Sequence, residues 1–124
     1  MAMSDAPSVT LHGIPNCDQV RKARAWLSER GIEHAFHDFK KVAPSREQVD
    51  GWIAGVGWEP LINRQGTTWR ALDAARKASI VDAAQAAVLM RETPSVIKRP
   101  VLVADGRVTV GFDPVRYTAI FTLP

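Results

Sequence analysis

The chain has 124 residues, of which 46% are apolar and 23% are charged, and its formal net charge is +3. This length suits one compact domain, and the sequence has no run of about 18 apolar residues that would span a membrane. The positive charge is mild and spread along the chain without a block of like charges, so we expect neither nucleic-acid binding nor membrane binding.

The N-terminal part of the chain alternates apolar and polar residues and then changes to a helical pattern. Residues 8–14, SVTLHGI, predict a half-buried strand that ends at Gly13. Apolar residues spaced by three and four predict an amphipathic helix over Asp18–Arg30, closed by Gly31, and a second strand is predicted over Ile32–Phe39. A strand, a helix and a strand within about 30 residues favour a right-handed crossover between parallel strands.

The middle of the chain, residues 45–92, is predicted to be helical. Ser45 and Asp82 are each followed three residues later by glutamine, a capping pattern that predicts a helix start at both places. The polar stretch NRQGTT at 63–68 predicts a loop, and Thr68 is expected to cap the helical turn that follows it.

The C-terminal part returns to strands. The stretch PVLVADGRVTVGF contains two alternating runs joined by Asp105 and Gly106, a pair typical of tight hairpin turns because both turn positions require positive φ. Asp113 followed by Pro114 predicts the N-cap and first residue of a last helix, which runs to about Phe121. The predicted order is therefore βαβ, a helical block and ββα.

Cysteine occurs once, at Cys17, where the pattern changes from loop to helix. Unpaired N–H groups and the positive end of the helix dipole favour a thiolate at such a position. Arg21, one turn along the helix, is a candidate second contributor, whereas Asp18 would raise the pKa of the thiol. Free cysteines are most often apolar core residues, but the polar and turn residues that flank Cys17 favour an accessible, reactive thiol.

One cysteine cannot form an internal disulfide, and a thiol that stays reduced fits the cytosol better than an oxidising compartment. The N-terminal residues MAMSDAPSV lack the basic start and the apolar stretch of a signal peptide. We therefore expect a cytoplasmic protein. We also expect a monomer. Because Val20 stands three residues after Cys17, turnover through a disulfide requires an external thiol.

The other candidate residues carry weaker signals. The histidines have no metal-ligand spacing with Cys17, so we predict neither a metal site nor a role for them. The tryptophans fall at spacings typical of a helix's core-facing side, which favours packing over a recognition surface. Arg99 precedes Pro100 at the start of a strand, where a cis peptide bond could bring backbone groups close to a substrate. The histidines are His12, His34 and His37, and the tryptophans are Trp26, Trp52, Trp58 and Trp69.

The order βαβ then ββα, with a cysteine after the first strand and a proline at the start of the third, resembles the thioredoxin fold. Four segments carry a closer likeness: LHGIPNCDQVRKARAWL, HDFKK, GWEPLINRQGTTWRAL and PSVIKRPVLV. With a helical block after the second strand, the chain resembles the family of glutaredoxin-linked arsenate reductases and Spx-type regulators, most closely its YffB-like branch.

The resemblance implies an α/β chain with a single thioredoxin-like domain over 1–124. Its mixed four-stranded sheet would carry a helical lobe inserted between strands 2 and 3, at about 45–92. It also implies Cys17 as the catalytic thiol and Pro100 in the cis form, with the site between them. The residues that we expect to bind substrate or glutathione are Asn16, Arg21, Arg64, Arg99 and Pro100.

The resemblance further implies a glutathione-dependent thiol-disulfide oxidoreductase that acts through the Cys17 thiolate, with no bound cofactor or metal and with glutathione as co-substrate. The expected partners are glutathione and either glutaredoxin or protein thiols. An arsenate reductase is the alternative, although Asn63 and Phe112 occupy positions where such enzymes carry arginines. A non-enzymatic Spx-like regulator that binds RNA polymerase is a further alternative, but Val20 replaces the second cysteine of the usual Spx redox switch.

Overall fold

The computed structural model describes residues 8–121, which belong to two compact units. The first unit contains the residues up to Asp38 and those from Arg99 onward, and the second contains Phe39–Lys98. Within the part of the chain that the structure describes, no helix is long and apolar enough to cross a bilayer. A single domain over 1–124 stays a prediction.

The first unit is built around a four-stranded mixed sheet. Its strands are β1 (Val9–Gly13), β2 (Ala35–Asp38), β3 (Val101–Ala104) and β4 (Arg107–Val110), in the order β2-β1-β3-β4. β1 and β2 are parallel, whereas β3 is antiparallel to both β1 and β4. The helix between the parallel strands is the predicted crossover, and the arrangement is the α/β, thioredoxin-like fold that the sequence predicted. The helix between β1 and β2 is α1 (Asp18–Glu29), and the C-terminal helix, the sixth along the chain, is α6 (Pro114–Phe121).

Helix α1 ends at the predicted glycine. Gly31 has φ of 68°, and its N–H donates to the Ser28 carbonyl over 3.0 Å, while the Ile32 N–H donates to the Leu27 carbonyl over 2.9 Å. These two bonds close the helix with a left-handed residue. Because Ile32 takes part in this closure, β2 begins at Ala35, later than predicted.

The C-terminal hairpin and helix also form as predicted. Asp105 and Gly106 have φ of 50° and 82°, the positive values that the tight turn between β3 and β4 requires. Pro114 is the first residue of α6, and the Asp113 side chain accepts a hydrogen bond of 2.9 Å from the Val115 N–H.

The second unit contains helices in the predicted range 45–92, separated by loops and short 3₁₀ turns. Both bonds of the predicted capping box are present, from the Gln48 N–H to the Ser45 hydroxyl over 3.1 Å and from the Ser45 N–H to the Gln48 side chain over 2.9 Å. The Asp82 side chain also caps its helix as predicted. The helices are α2 (Arg46–Val56), α3 (Thr67–Ala71), α4 (Ala74–Ser79) and α5 (Ala83–Glu92), with 3₁₀ turns at Glu59–Leu61 and Pro94–Val96.

The cap predicted at Thr68 is wrong. Helix α3 begins at Thr67, and its N-cap is Gly66. The Gly66 N–H donates to the Asn63 carbonyl over 3.2 Å, so the preceding turn closes at the glycine and leaves Thr68 inside the helix.

The core of the first unit lies between the sheet and residues of α1 and α6. Tyr117 of α6 is fully buried, and its ring forms T-shaped contacts with Trp26 and Phe112 at centroid distances of 5.5 and 4.9 Å. Burial raises the pKa of Tyr117. Neither its hydroxyl nor the Trp26 Nε1 has a hydrogen-bond partner among residues 8–121. The buried cluster comprises Val9, Leu11, Val20, Ala23, Trp26, Leu27, Leu102, Ala104 and Tyr117.

Gly13, at the end of β1, allows the sheet and α1 to approach each other closely. A Cβ atom at this position would lie 2.7 Å from Cγ2 of Val20, closer than carbon atoms pack. Val20 is fully buried in the core cluster, so its side chain has no free space to move into. The lack of a side chain at Gly13 therefore lets α1, which begins directly after Cys17, pack against the end of β1.

We predict that Gly13→Ala lowers the free energy of unfolding of the protein by about 1–3 kcal/mol, the usual cost of overpacking a core. Urea unfolding at neutral pH measures this change. Gly51→Ala is the matched control, because Gly51 is exposed in α2 with nothing within 4 Å of an added Cβ. Alanine there should leave stability unchanged or raise it. A Gly13→Ala protein as stable as the parent would contradict the predicted clash.

Parallel pairing of β1 with β2 places His12 opposite His37. Their Nδ1 atoms lie 3.1 Å apart, a hydrogen-bond distance that requires one neutral ring to donate to the other. His12 is only 4% exposed, and burial, together with the neighbouring His37, lowers the pKa of His12 to about 4.

We predict that this histidine makes the protein less stable in mild acid. The unfolded chain binds a proton at His12 below a pH of about 6.5, whereas the folded chain does so only near pH 4, so stability falls as the pH drops between these values. The loss should reach about 3 kcal/mol, and His12→Leu should remove most of it. Unfolding free energies at pH 7, 5.5 and 4.5 measure the slope, with His34→Gln as control. Equal slopes in His12→Leu and the parent would refute the assignment.

Candidate functional site

Cys17 follows a turn at Pro15 and Asn16 and is the N-cap of α1, with φ of −112° and ψ of 130°. Its carbonyl accepts a 2.9 Å hydrogen bond from the Arg21 N–H, the first bond of the helix. The side chain is partly exposed and packs against the edge of the first unit's core. The Cys17 side chain is therefore partly accessible to solvent and still in contact with the core.

The surroundings of the Cys17 sulfur favour its thiolate form. Burial by itself would raise the pKa of the thiol, but the Val20 N–H, the Arg99 side chain and the Gln19 N–H all donate to the sulfur, and the positive charge of Arg99 adds to their effect. The net result is a lowered pKa.

Sheet register brings Arg99 to the cysteine. β1 and β3 are antiparallel, with His12 opposite Val101, so the residues just before β3 lie beside the residues just after β1. The Arg99–Pro100 peptide bond is cis, as the family resemblance implied. Pro100 is buried, and its carbonyl accepts a 2.8 Å hydrogen bond from the Gly111 N–H at the end of the hairpin.

Arg21 does not act on the sulfur as the sequence suggested. It forms an ion pair with Asp18, its neighbour three residues earlier on the same side of α1. The groups that lower the Cys17 pKa are instead two backbone N–H groups and Arg99. Asn16 is exposed in the turn before the cysteine. Binding of substrate or glutathione by Asn16 and Arg21 stays a prediction.

Arg64, the remaining predicted binding residue, lies in the second unit. Its side chain is exposed, and its guanidinium carbon lies 5.8 Å from the Trp58 ring centroid and 5.5 Å from that of Trp69. The sequence favoured packing for both tryptophans and did not link them to Arg64. Their positions on either side of the loop, six residues before and five after the arginine, are the signal that sequence reasoning missed.

Phe112 contributes apolar surface to the first unit. It packs against the same core cluster as Cys17, and its ring lies 4.9 Å from Tyr117. Among residues 8–121, no group of three or more histidine, cysteine, aspartate or glutamate residues could hold a metal ion. The described geometry places the Cys17 sulfur, whose pKa is lowered, beside the guanidinium of Arg99.

Comparison with known proteins gives consistent results. The ArsC family model matches residues 12–120. The solved structure of a protein named YFFB is 48% identical, over 90% of this chain and 96% of that one, with a TM-score of 0.85. The solution structure of an arsenate reductase (ArsC) related protein from Brucella melitensis is 46% identical, over 98% and 100% of the two chains, with a TM-score of 0.71.

The chain is also 29% identical over 108 residues to the global transcriptional regulator Spx of Streptococcus pyogenes serotype M3, over 85% of this chain and 78% of the regulator. The family match contains Cys17, Arg99 and Pro100. This family match and the likeness to the arsenate reductase related protein from Brucella melitensis support a thiol-based redox role. Because the match extends over nearly the whole sequence, this protein belongs to the ArsC family.

Proposed function

We propose that this protein is a glutathione-dependent thiol-disulfide oxidoreductase that uses Cys17 as its nucleophile, glutathione as its co-substrate and no bound cofactor. The observation that carries the proposal is the Arg99 side chain donating to the Cys17 sulfur beside two backbone N–H groups. A lowered thiol pKa increases the thiolate fraction at neutral pH, and the thiolate is the form that attacks a disulfide.

The proposed cycle has two exchanges. In the first, the Cys17 thiolate attacks one sulfur of a substrate disulfide, a mixed disulfide forms with that half, and the other half leaves as a thiolate. In the second, a glutathione thiolate attacks the mixed disulfide and releases the Cys17 thiolate. When the sulfur bound to Cys17 belongs to glutathione, the product is glutathione disulfide. For a substrate that is a mixed disulfide of glutathione with another thiol, one free glutathione therefore enters per cycle, and the products are that thiol and glutathione disulfide.

The sequence and site support an external resolving thiol. Cys17 is the only cysteine of the chain, so no second sulfur can attack the mixed disulfide from within. Glutathione is the proposed donor, and glutaredoxin or a protein thiol is the alternative that shares its chemistry. We further propose that the backbone around the cis Arg99–Pro100 bond aligns the substrate sulfur with Cys17.

Reduction of a disulfide suits the site better than reduction of arsenate. An oxyanion spreads its charge over several oxygens, and each missing charged hydrogen bond costs about 1.5–3 kcal/mol. At Cys17, Arg99 is the cation that acts on the sulfur, and Phe112 adds apolar surface to the same unit. Regulation through a second cysteine is also disfavoured, because Val20 stands where that residue would be.

We predict that Cys17→Ser reduces glutathione-dependent reduction of bis(2-hydroxyethyl) disulfide to the uncatalysed rate, because a serine hydroxyl does not form a mixed disulfide. A coupled assay that follows NADPH consumption by glutathione reductase measures the rate. Ala25→Ser, at an exposed position of α1, is the control for the substitution itself and should keep full activity. Activity well above background in Cys17→Ser would remove the proposed mechanism.

We also predict that Arg99→Ala shifts the pH profile of Cys17 alkylation upward. In the parent protein, the rate with iodoacetamide should rise with pH through a midpoint below that of an ordinary cysteine, because Arg99 and the helix N–H groups stabilise the thiolate. Loss of the guanidinium removes one donor and its charge, so a higher pH is needed to ionise the thiol.

Lys22→Ala is the matched control, since Lys22 is an exposed cation on α1 that does not appear among the groups acting on the sulfur. Its midpoint should stay at the parent value. If Arg99→Ala and Lys22→Ala give the same midpoint, the proposed role of Arg99 is wrong.

A further inference from the structure

Phe112 follows the C-terminal hairpin, at the end of the sheet that carries the thiol. β1 and β4 both finish at this end, because each is antiparallel to β3. The Gly111 N–H donates to the Pro100 carbonyl over 2.8 Å, so Phe112 comes directly after a residue bound to the segment before β3. Arg99, in that segment, donates to the Cys17 sulfur. Cys17, Arg99 and Phe112 therefore follow one another across one end of the first unit's sheet.

Phe112 also lies on the same side of the sheet as Cys17. Both side chains pack against the buried cluster that forms the core of the first unit. The Phe112 ring forms a T-shaped contact with Tyr117 of this cluster at a centroid distance of 4.9 Å. Val20, another member of the cluster, donates its N–H to the Cys17 sulfur. The thiol and the ring are both partly exposed, so they are two accessible groups at the border of one core.

Hydrogen bonds on both sides of Phe112 fix its backbone. Before it comes the bond from the Gly111 N–H at the end of the hairpin. After it, the Asp113 carbonyl accepts from the Tyr117 N–H over 2.9 Å, and the Asp113 side chain accepts from the Val115 N–H over 2.9 Å. A ring held in this way loses little conformational freedom when a ligand packs against it.

The spacing between the ring and the thiol suits a substrate that is larger than a bare sulfur. β3 lies between β1 and β4, and neighbouring strands are about 4.8 Å apart, so the ends of β1 and β4 are separated by about 10 Å. When a thiolate attacks a disulfide, the sulfur that leaves lies farther from the thiolate than the sulfur that is attacked. A group carried by the leaving sulfur can therefore reach the Phe112 ring while Cys17 attacks.

We propose that Phe112 is a specificity-determining residue whose ring receives an apolar, most favourably aromatic, group carried by the leaving sulfur of the substrate. The substrate class is then a mixed disulfide of glutathione with a hydrophobic thiol. Glutathione as one half of this disulfide rests on the proposed function, whereas the preference for an apolar leaving half rests on the placement of Phe112. Contact between two rings removes apolar surface from water and adds an aromatic pair interaction.

The reaction of such a substrate balances with glutathione as the reductant. The Cys17 thiolate attacks the glutathione sulfur, the S–S bond of the substrate breaks, and the hydrophobic thiol leaves with the electron pair as a thiolate. A free glutathione thiolate then attacks the glutathione sulfur bound to Cys17, which forms glutathione disulfide and releases the Cys17 thiolate. Phe112 takes part in neither bond change and acts on which substrate binds in the productive orientation.

The first experiment measures the first exchange alone, without free glutathione. The mixed disulfides of glutathione with phenylmethanethiol and with 2-mercaptoethanol react with the protein in a single turnover, and mass spectrometry follows the glutathione adduct of Cys17. The ratio of the two rates is divided by the same ratio for N-acetylcysteine, which removes the difference in intrinsic reactivity. This normalised preference should favour the benzyl substrate about fivefold. Equal normalised rates, or a benzylthio adduct in place of the glutathione adduct, would overturn the proposal.

Variants of Phe112 test whether the ring causes this preference. Phe112→Ala should abolish the preference and Phe112→Leu should reduce it to about twofold, whereas Phe112→Tyr, which keeps the ring, should retain it. The leucine variant keeps an apolar contact with Tyr117, so it preserves the test if alanine prevents folding, which circular dichroism detects. Val115→Ala is the matched control, because Val115 is an apolar residue of α6 that is 77% exposed, and it should keep the parental preference. A parental preference in the leucine variant would assign Phe112 to packing alone.

Steady-state turnover with free glutathione separates this inference from the proposed function. If the normalised preference depends on Phe112 but neither mixed disulfide is turned over with free glutathione, the proposed function fails and the role of Phe112 stands. If both disulfides are turned over with the same normalised kcat/KM, in the parent and in Phe112→Leu alike, the function stands and the role of Phe112 is wrong.

Discussion

The antiparallel pairing of β1 with β3 is the constraint on which the thiol site depends. Cys17 and Arg99 are far apart in the sequence, and a contact between them would be entropically costly if the chain held them by loops alone. The register that places His12 opposite Val101 brings the end of one strand beside the start of the other. The site is thus fixed by sheet hydrogen bonds and by the core packed beneath them, with Gly13 allowing α1 to lie close to the sheet.

Two opposing effects act on the pKa of the Cys17 thiol. Partial burial against the core disfavours the charged thiolate, and donors from α1 and from Arg99 favour it. The donors prevail because two are backbone N–H groups at a helix start, which have no partner within the helix, and the third carries a full charge. The lowered pKa of the thiol therefore depends both on the start of α1 and on one arginine placed just before the neighbouring strand.

Features determined by adjacent residues were predictable from the sequence. The hairpin turn at Asp105, the glycine end of α1 and the capping box at Ser45 each depend on a few neighbouring residues and form as expected. The start of β2 and the cap of α3 were missed. The Ile32 N–H donates to the Leu27 carbonyl at the end of α1, so β2 begins later, and the Gly66 N–H donates to the Asn63 carbonyl, so Gly66 and not Thr68 is the cap of α3. The contact between Cys17 and Arg99 could be anticipated only through family resemblance, since no local pattern links them. The pairing of the two strand histidines and the rings beside Arg64 required coordinates for the same reason.

The aromatic centre of the first unit also limits how stable that unit can be. Tyr117 and Trp26 meet edge to face at 5.5 Å, and neither the phenolic hydroxyl nor the indole N–H finds a polar partner in the part of the chain that the structure describes. In water both groups would form hydrogen bonds with solvent. Removing each of them from water therefore costs about 1–3 kcal/mol, which offsets part of the free energy gained by burying the rings. This interior is consequently ordered by shape more than by polarity. The buried rings therefore stabilise this unit by less than their buried area alone would predict.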